Sequence, residues 1–514
     1  MAIAKTRRSR RRESGKIKKP IGCQPPGKQL VNPHPPTELL SADQIEAIHQ
    51  TSLTILRDKG IDFLLPEARK LLQQAGAMVE SDTDRVRFDP EMVELYLKMP
   101  PSQFKIHARN PERSFTLGDN FLSFGCVASA PNASDTINGR RSGNHQDFRN
   151  FLKLTQYYSV LNFVSGYPVE PSDWHASIRH LKAIQDVTYL TDKAFVCYSL
   201  GRQRNLDAIE MTKIARGITS QQFEAETSLM TVINSSSPLR LDTVMLEGII
   251  EMSSRNQLVI LTPFTLAGAM APITLAGAVA LQNAEALAGL VMTQVVRPGA
   301  PFMYGGFTSN VDMRSGSPAF GTPEYMKTAM VGGQLARRYG LPYRSSNVCA
   351  ANAVDSQSAY ESVYSIWGAA MGGCNLMMHA AGWLEGGLCA SFEKFVIDVD
   401  QLQMLTEFLK PFEVNAEELA LDAIKQVEPG GHFFGSEHTQ ERYRDAFYEP
   451  MISDWRNFES WQEAGSPLAV DKARQVFQQT LGDYQEPPLD QAIREELDEF
   501  VEKRIAEGGV ETDF

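Results

Sequence analysis

Cysteine is rare in this 514-residue sequence, and acidic residues outnumber basic ones by 62 to 50. The six cysteines form no close pairs, which favours free thiols in a reducing cytoplasm over a disulfide framework. A net charge of −12 argues against a nucleic-acid partner. The chain has neither G-x-G-x-x-G nor G-x-x-x-x-G-K-[ST], so the usual phosphate-binding loops of nucleotide enzymes are missing.

Long hydrophobic runs are also few. The charge-free stretch Leu258–Leu281 is long enough to span a bilayer. Pro263 and Pro272 interrupt it, however, and no aromatic belt flanks it. We therefore predict a buried strand, a loop and an Ala/Gly-rich helix packed on a sheet, and no membrane segment.

Positive charge is concentrated in residues 5–19, and no apolar segment follows it, so this stretch is not a secretory signal. Proline-rich spacing continues to about residue 36. We predict a solvated, disordered tail over residues 1–36, with contact to an acidic surface as the alternative.

The rest of the chain divides into three parts. Residues 37–118 predict a helical cap region, beginning with a helix that Ser41 caps. Residues 119–412 repeat an apolar run, a loop and an amphipathic segment eight times. Residues 413–514 predict a C-terminal helical extension.

Eight strand–helix units predict an α/β fold, a (βα)8 TIM barrel. An open doubly wound sheet is the alternative, but it would normally carry a phosphate-binding glycine loop after its first strand. The predicted strands are Phe121–Phe124, Val160–Ser165, Ala194–Tyr198, Ser228–Asn234, Leu258–Thr262, Pro301–Tyr304, Pro342–Ser346 and Asn375–Met378.

The stretch Gly372–Phe395 holds the first candidates for chemistry. An apolar strand ends in His379, and a glycine-rich turn with Trp383 and Glu385 follows. We predict a catalytic role for His379 and Glu385, since the carboxyl edge of a barrel strand is where chemistry is placed. The alternatives are a buried histidine with a backbone partner, and a glutamate that anchors His379 or caps the next helix.

Residues at the ends of the other strands predict a pocket rich in aromatic side chains. Ring faces attract a methylated cation that cannot donate hydrogen bonds, so this pocket favours a quaternary ammonium substrate. The predicted substrate-binding residues are Phe124, Tyr167, Tyr198, Asn234, Tyr304, Phe307, Arg344 and Trp383.

Two further assignments concern charge and metal. Arg344 could pair with a substrate carboxylate or with Asp355, and Arg314 and Arg140 are alternative clamps. A zinc site from Cys374, His379 and Cys389 is disfavoured, because Cys374 starts the strand that His379 ends. We predict no metal ligands.

Three segments resemble the trimethylamine methyltransferase family: FGCVASAPNASD (Phe124–Asp135), LPYRSSNVCAANAVDSQSAYES (Leu341–Ser362) and HAAGWLEGGLCASFEKFVID (His379–Asp398). The resemblance implies a barrel that passes a methyl group from a methylated amine to the cobalt of a corrinoid. A separate carrier protein holds that corrinoid (cobalamin), so no cofactor is bound tightly. Family members also look like homo-oligomers.

The founding branch of this family uses pyrrolysine, whereas Asn347–Ala351 reads NVCAA here. The resemblance therefore points to the branch for quaternary amines, with glycine betaine or a related betaine as donor and dimethylglycine as a product. Within it, His379 would orient substrate or corrinoid and Trp383 would shape the entrance. Another methylated amine or sulfonium donor, or a non-catalytic barrel that binds methylated amines, is the alternative.

Overall fold

Eight parallel strands close into a barrel in the computed structural model, which describes residues 29–512. The strands are β1 Phe121–Cys126, β2 Phe163–Val164, β3 Ala194–Tyr198, β4 Met230–Ile233, β5 Leu258–Leu261, β6 Phe302–Gly305, β7 Tyr343–Ser346 and β8 Leu376–Ala381. Pairing of β8 with β1 closes the ring. The predicted (βα)8 barrel is confirmed.

A helix follows each strand and packs on the outside of the barrel. The helices are α1 His145–Tyr157, α2 Arg179–Leu190, α3 Arg202–Arg216, α4 Thr243–Ser254, α5 Leu275–Val296, α6 Pro323–Tyr339, α7 Ser356–Met371 and α8 Phe392–Phe408. Polar residues at the loop ends start several of them: the side chains of Asn144, Asp242, Asp355 and Ser391 each accept a hydrogen bond from a first-turn backbone N–H.

The N-terminal half of the barrel interior is apolar. Leu258, Met303 and Leu376 belong to one buried cluster with Ile106 and Phe115. The last two residues lie on an antiparallel hairpin, Phe104–Ile106 with Phe115–Leu117. This hairpin therefore covers the N-terminal end of the barrel.

Loops at the opposite end carry two small sheets of their own. One sheet pairs Phe264–Ala267, Phe307–Val311 and Pro318–Ala319. The other sheet pairs Trp383–Leu384, Cys389–Ser391, Asn132–Asp135 and Gly139–Ser142. These sheets fix the loops after β1, β5, β6 and β8, which surround the mouth of the barrel.

The N-terminal region wraps the barrel. Its helices are Ala42–Thr54, continued as a π-helix over Ile55–Lys59, then Pro66–Gln74 and Pro90–Tyr96, and its short strands are Ile61–Phe63, Met78–Val79 and Arg85–Arg87. Ser41 caps the first helix as predicted. Residues 1–28 of the predicted tail lie outside the described residues. Residues 29–36 are described, and Leu30–Val31 pairs antiparallel with β1.

The C-terminal extension is helical. It contains Leu421–Gln426, Glu437–Arg442, Phe458–Glu463, Ala469–Asp483 and Gln491–Ala506. The last two helices pack on the barrel, through α8 and α3 respectively.

Helix α5 is long and apolar enough to span a membrane, and within residues 29–512 no other helix meets that test. In this structure 83% of its most apolar window is buried. The stretch Leu258–Leu281 forms the strand, loop and helix that its prolines predicted.

Candidate active site

A cavity of about 270 Å³ opens at the C-terminal ends of the barrel strands. Five of the predicted site residues line it: Tyr198, Asn234, Phe307, Arg344 and His379. An engineered cavity of about 150 Å³ accepts benzene, so this volume is sufficient for a small organic molecule. No Asp or Glu occurs among the residues that line it.

Arg344 brings a buried positive charge to this cavity. It points inward from β7 and is 2% exposed. Its Nη1 donates to the Gly306 carbonyl at 3.4 Å, while its Nε finds no hydrogen-bond partner in the described chain. Within residues 29–512 no carboxylate forms an ion pair with it. Burial lowers the pKa of Arg344 to about 10, so the guanidinium remains protonated at neutral pH.

Two hydroxyl groups share this lack of partners. Ser165 Oγ and Thr262 Oγ1 are buried, line the same cavity and make no hydrogen bond in the described chain. Buried polar atoms are normally satisfied, because an unpaired one costs about 1–3 kcal/mol. The unpaired atoms of Arg344, Ser165 and Thr262 therefore give this cavity three polar groups that are free to bind a ligand.

His379 enters the cavity wall through an irregularity in β8. Met377 pairs with Phe124 and Ala381 with Cys126, so β8 takes four residue steps where β1 takes two. His379 lies in this bulge with φ = 56°, which is unusual for a residue that is not glycine. The bulge turns the imidazole into the cavity beside the inward-facing Met378.

The surroundings of His379 keep its ring neutral. Burial, followed by the nearby charge of Arg344, lowers the pKa of His379 well below its ordinary value. Ser346 Oγ lies 3.0 Å from Nδ1, which fixes one side of the ring. The structure therefore offers a neutral imidazole that exchanges a hydrogen bond with a ligand and carries no charge.

An aromatic group forms one side of the site. Phe307 stacks on Trp383 with ring centroids 5.7 Å apart, and Phe264 lies 5.3 Å from Phe307. Trp383 also lies 4.3 Å from the His379 ring. A Cβ at Gly387 would come within 2.6 Å of Trp383 Nε1, so glycine is needed there for the indole to keep its place. Phe264 and Phe307 reach the cavity, and Trp383 backs them.

Tyr198 forms the opposite wall. Its hydroxyl shares a hydrogen bond with Ser129 Oγ at 2.7 Å. Tyr167 packs on the outer side of Tyr198, with ring centroids 4.2 Å apart, and does not itself line the cavity. Tyr167, predicted to bind substrate, therefore packs against a residue of the cavity wall and does not reach the cavity itself.

Phe124 and Tyr304 were predicted to line the pocket, and the structure contradicts both predictions. Successive strand residues face opposite sides, and Met303 faces the barrel interior, so Tyr304 faces outward. There its hydroxyl donates to Asn283 Oδ1 at 3.0 Å. Phe124 likewise packs in the cluster between barrel and helices. Neither ring reaches the cavity.

Glu385 lies outside the cavity. Arg140 Nε donates to both of its carboxylate oxygens, at 3.0 and 2.9 Å. This pairing at the mouth does not favour the catalytic role predicted for Glu385, and it removes Arg140 as a ligand clamp. Arg314 is exposed on the loop after β6 and does not line the cavity. Asp355, the alternative partner of Arg344, caps α7 instead.

Residues 29–512 contain no group of three His, Cys, Asp or Glu side chains placed to bind a metal ion. Cys374 lines a surface pocket at the N-terminal end of the barrel, far along β8 from the bulge at His379. Cys389 is buried in a small cluster with Leu384.

Comparisons with known proteins identify the family of this chain. The profile of the family described as trimethylamine methyltransferase (MTTB) matches residues 4–509. The chain belongs to the trimethylamine methyltransferase family. It is a methyltransferase.

Among its relatives is the glycine betaine methyltransferase of Desulfitobacterium hafniense, 34% identical, with 93% of this chain and 99% of that protein aligned. The trimethylamine methyltransferase MttB2 of Methanosarcina mazei is 26% identical over 90% of this chain and 94% of its own. Of solved structures, the Methanosarcina barkeri monomethylamine methyltransferase MtmB superposes with a TM-score of 0.49 at 10% identity, covering 89% of this chain and 92% of that one.

Sequence reasoning missed three residues that line this cavity: Ser165, Thr262 and Phe264. Strand alternation contains the signal for two of them. Phe163 and Ile260 face the interior, so the residues two positions later face it as well. Phe264 belongs to the small sheet above the barrel, which the strand pattern alone does not reveal.

A buried ion pair supports the loop that carries Trp383. Lys394 and Asp398 pair on α8 with both side chains fully buried, and Lys394 also donates to Ser362 Oγ at 2.6 Å. Asp398 accepts a hydrogen bond from the Gly382 backbone N–H at 2.8 Å. The turn after β8 is thereby fastened to α8, which positions Trp383 behind the cavity wall.

Proposed function

We propose that this methyltransferase takes a methyl group from a quaternary amine that carries a carboxylate, glycine betaine first, and passes it to a reduced corrinoid held by a partner protein. The observation that carries this proposal is the unpaired, buried guanidinium of Arg344 in a cavity that has aromatic walls and no acidic residue.

The electrostatics favour a zwitterion over a simple cation. A cation alone would meet the positive charge of Arg344 with no carboxylate to offset it. A betaine brings its own carboxylate, which can accept hydrogen bonds from Arg344 and from Thr262. The rings of Phe264 and Tyr198 remain for the trimethylammonium group, because the guanidinium of Arg344 lies 5.1 Å from the centre of the Phe307 ring and Trp383 stacks on that ring. The 34% identity to a glycine betaine methyltransferase supports the same substrate class.

The reaction requires little acid–base chemistry from the side chains of the protein. When a methyl group leaves a quaternary nitrogen, the electron pair of the C–N bond stays on nitrogen, and the product is a neutral tertiary amine such as dimethylglycine. No side chain has to donate a proton. The corrinoid supplies the nucleophile that accepts the methyl group.

The residues of this chain therefore bind, orient and exclude water. Arg344 fixes the carboxylate end, and the aromatic walls surround the ammonium end. The neutral ring of His379 lines the same space and adds a hydrogen-bonding group without adding charge. At about 270 Å³ the cavity is far too small for a corrinoid, which supports an acceptor presented from outside the barrel mouth.

Free thiols support the predicted cytoplasmic location. All five cysteines in the described part of the chain are buried and unpaired. A reducing compartment also preserves a reduced corrinoid acceptor.

The test is a methyl-transfer assay with reduced cobalamin, followed by the absorbance of methylcobalamin. Glycine betaine should react and choline should not, because choline replaces the carboxylate with a hydroxyl and keeps the same trimethylammonium group. Trimethylamine should also fail. Transfer from choline or trimethylamine but not from any betaine would overturn the proposal. Calorimetric binding of glycine betaine without transfer to either free or protein-bound corrinoid would instead favour a non-catalytic binding protein.

A further inference from the structure

Residues 411–447, here called the arm, are almost wholly exposed. The arm leaves the barrel after α8 and returns to it near Tyr448, whose hydroxyl donates to Asp400 at 3.1 Å. Every hydrogen bond and ion pair recorded for the arm is made within the arm, such as that between Arg442 and Glu417. Its side chains therefore make no described polar contact with the rest of their own chain.

The arm exposes large apolar side chains. Phe412, Phe434 and Phe447 are 93%, 78% and 85% exposed. Its two α-helices, Leu421–Gln426 and Glu437–Arg442, have six residues each. Isolated helices shorter than about 12–15 residues are marginal in water, so this fold needs a surface to pack on. Ordering so many residues without burial would cost conformational entropy that nothing in the monomer offsets.

A second apolar surface lies on the barrel itself. The outer faces of α7 and α8 are expected to be polar, yet both expose apolar residues. These are Tyr360, Val363, Tyr364, Met404 and Phe408, all between 41% and 61% exposed. Residues 360, 363 and 364 lie on one face of α7 by helical spacing. We call this surface the α7–α8 face.

We propose that the arm of one copy packs on the α7–α8 face of a second copy of this chain. At about 200 Å² per ring, the three exposed phenylalanines alone can bury roughly 500 Å². In a two-fold arrangement each copy gives one arm and receives one, so the phenylalanines of the two arms bury roughly 1,000 Å². A similar area buried on the two receiving faces brings the total into the range of a specific interface, about 1,200–2,000 Å².

The exchange would place the partner close to the active site. Helix α7 carries Glu361, whose carboxylate accepts hydrogen bonds from the backbone of Ala350 at 2.8 Å and of Ala351 at 3.0 Å. That loop in turn accepts a hydrogen bond from the Glu385 backbone N–H at the barrel mouth. An arm bound on α7 thus stabilises the helix that holds a mouth loop.

The first experiment is sedimentation velocity of the full chain at micromolar concentrations. We expect a dimer or larger assembly for the natural sequence. The variant Phe412→Ser/Phe434→Ser/Phe447→Ser should weaken association by at least about 100-fold, because buried aromatic residues dominate such interfaces. The matched control is Met78→Ser/Leu95→Ser, which changes residues that are 66% and 57% exposed outside both surfaces and should leave association unchanged.

A cross-linking experiment identifies the receiving surface. One tagged copy carries Phe434→Cys and a differently tagged copy carries Tyr364→Cys, and a short bismaleimide is added to the mixture. A heterodimer linked through both tags is expected, and it should be lost when Met78→Cys replaces Tyr364→Cys. A monomeric natural chain, unchanged association of the triple variant, or an assembly without this cross-link would each overturn the proposal. None of these readouts needs methyl transfer, so the result is independent of the proposed function.

Discussion

In the lower half of the barrel interior, Leu258, Met303 and Leu376 pack against the hairpin that covers the N-terminal end. In the upper half, on the same or neighbouring strands, Arg344 and Thr262 keep polar atoms without partners. The lower half stabilises the fold, and the upper half holds unsatisfied groups at a cost in stability. Binding and stability are thus separated along the barrel axis, as in other barrels of this type.

The largest expected effect concerns the buried Lys394–Asp398 ion pair, which fastens the turn after β8 at the barrel mouth. Lys394→Met leaves the fully buried carboxyl group of Asp398 without its partner, so the free energy of unfolding should fall by about 3–5 kcal/mol. Urea unfolding measures this change. Lys394→Met/Asp398→Leu serves as the control, because removing both charges should restore much of the loss. An unaltered midpoint in Lys394→Met would show that the upper half does not depend on this pair.

The next effect tests the lower half. Leu258→Ala should lower the free energy of unfolding by about 3 kcal/mol through the lost contacts and the cavity left behind. The methyl-transfer rate per folded molecule should stay the same, since Leu258 lies below the cavity. Comparing urea unfolding with the transfer assay checks both parts. A lower methyl-transfer rate in fully folded Leu258→Ala would contradict the proposed separation of binding from stability.

The opposite pattern is expected for Arg344→Met. It should lower kcat/KM for a betaine by about 100-fold, because a charge-assisted pair with the carboxylate is lost. The free energy of unfolding should not fall, because an unpaired buried charge is replaced by an apolar side chain of similar length. Arg314→Met, at an exposed arginine near the mouth, is the matched control and should keep its activity.

The smallest effect is a pH dependence of stability. Burial and Arg344 keep the pKa of His379 well below 6.5, so the folded ring stays neutral while the unfolded chain takes up a proton below about pH 6.5. Stability from this residue is therefore complete above pH 6.5 and falls as the pH decreases, by at most about 1.4 kcal/mol per unit. His379→Gln should flatten the unfolding profile between pH 6.5 and 5. Parallel profiles for both proteins would contradict the neutral ring.

The sequence predicted the barrel because apolar runs and helical segments alternate with the regularity that only parallel strand–helix units produce. It predicted the end of the barrel that holds the site for the same reason. The errors at Phe124 and Tyr304 came from using strand ends without strand alternation. In the structure Met303 faces the interior, so the ring of Tyr304 next to it faces outward.

Other features depend on contacts that no local pattern contains. The left-handed backbone of His379 arises from a mismatch between β8 and β1, which are about 250 residues apart in the chain. The unpaired state of Arg344 is a property of everything around it, since Asp355 was an equally good partner on the sequence alone. The exposure of the arm likewise appears only once the helices around it are in place.

The hairpin at the lower end also limits the routes by which molecules can reach the cavity. Among residues 29–512 the hairpin covers the lower end, so in the proposed reaction the donor amine, the demethylated product and the methyl acceptor would share the opening above β1–β8. An acceptor protein large enough to cover that opening would trap whatever the cavity already contains. For the proposed reaction this imposes an order of events: the amine enters first, the carrier docks over it, and the tertiary amine departs only after the carrier has left.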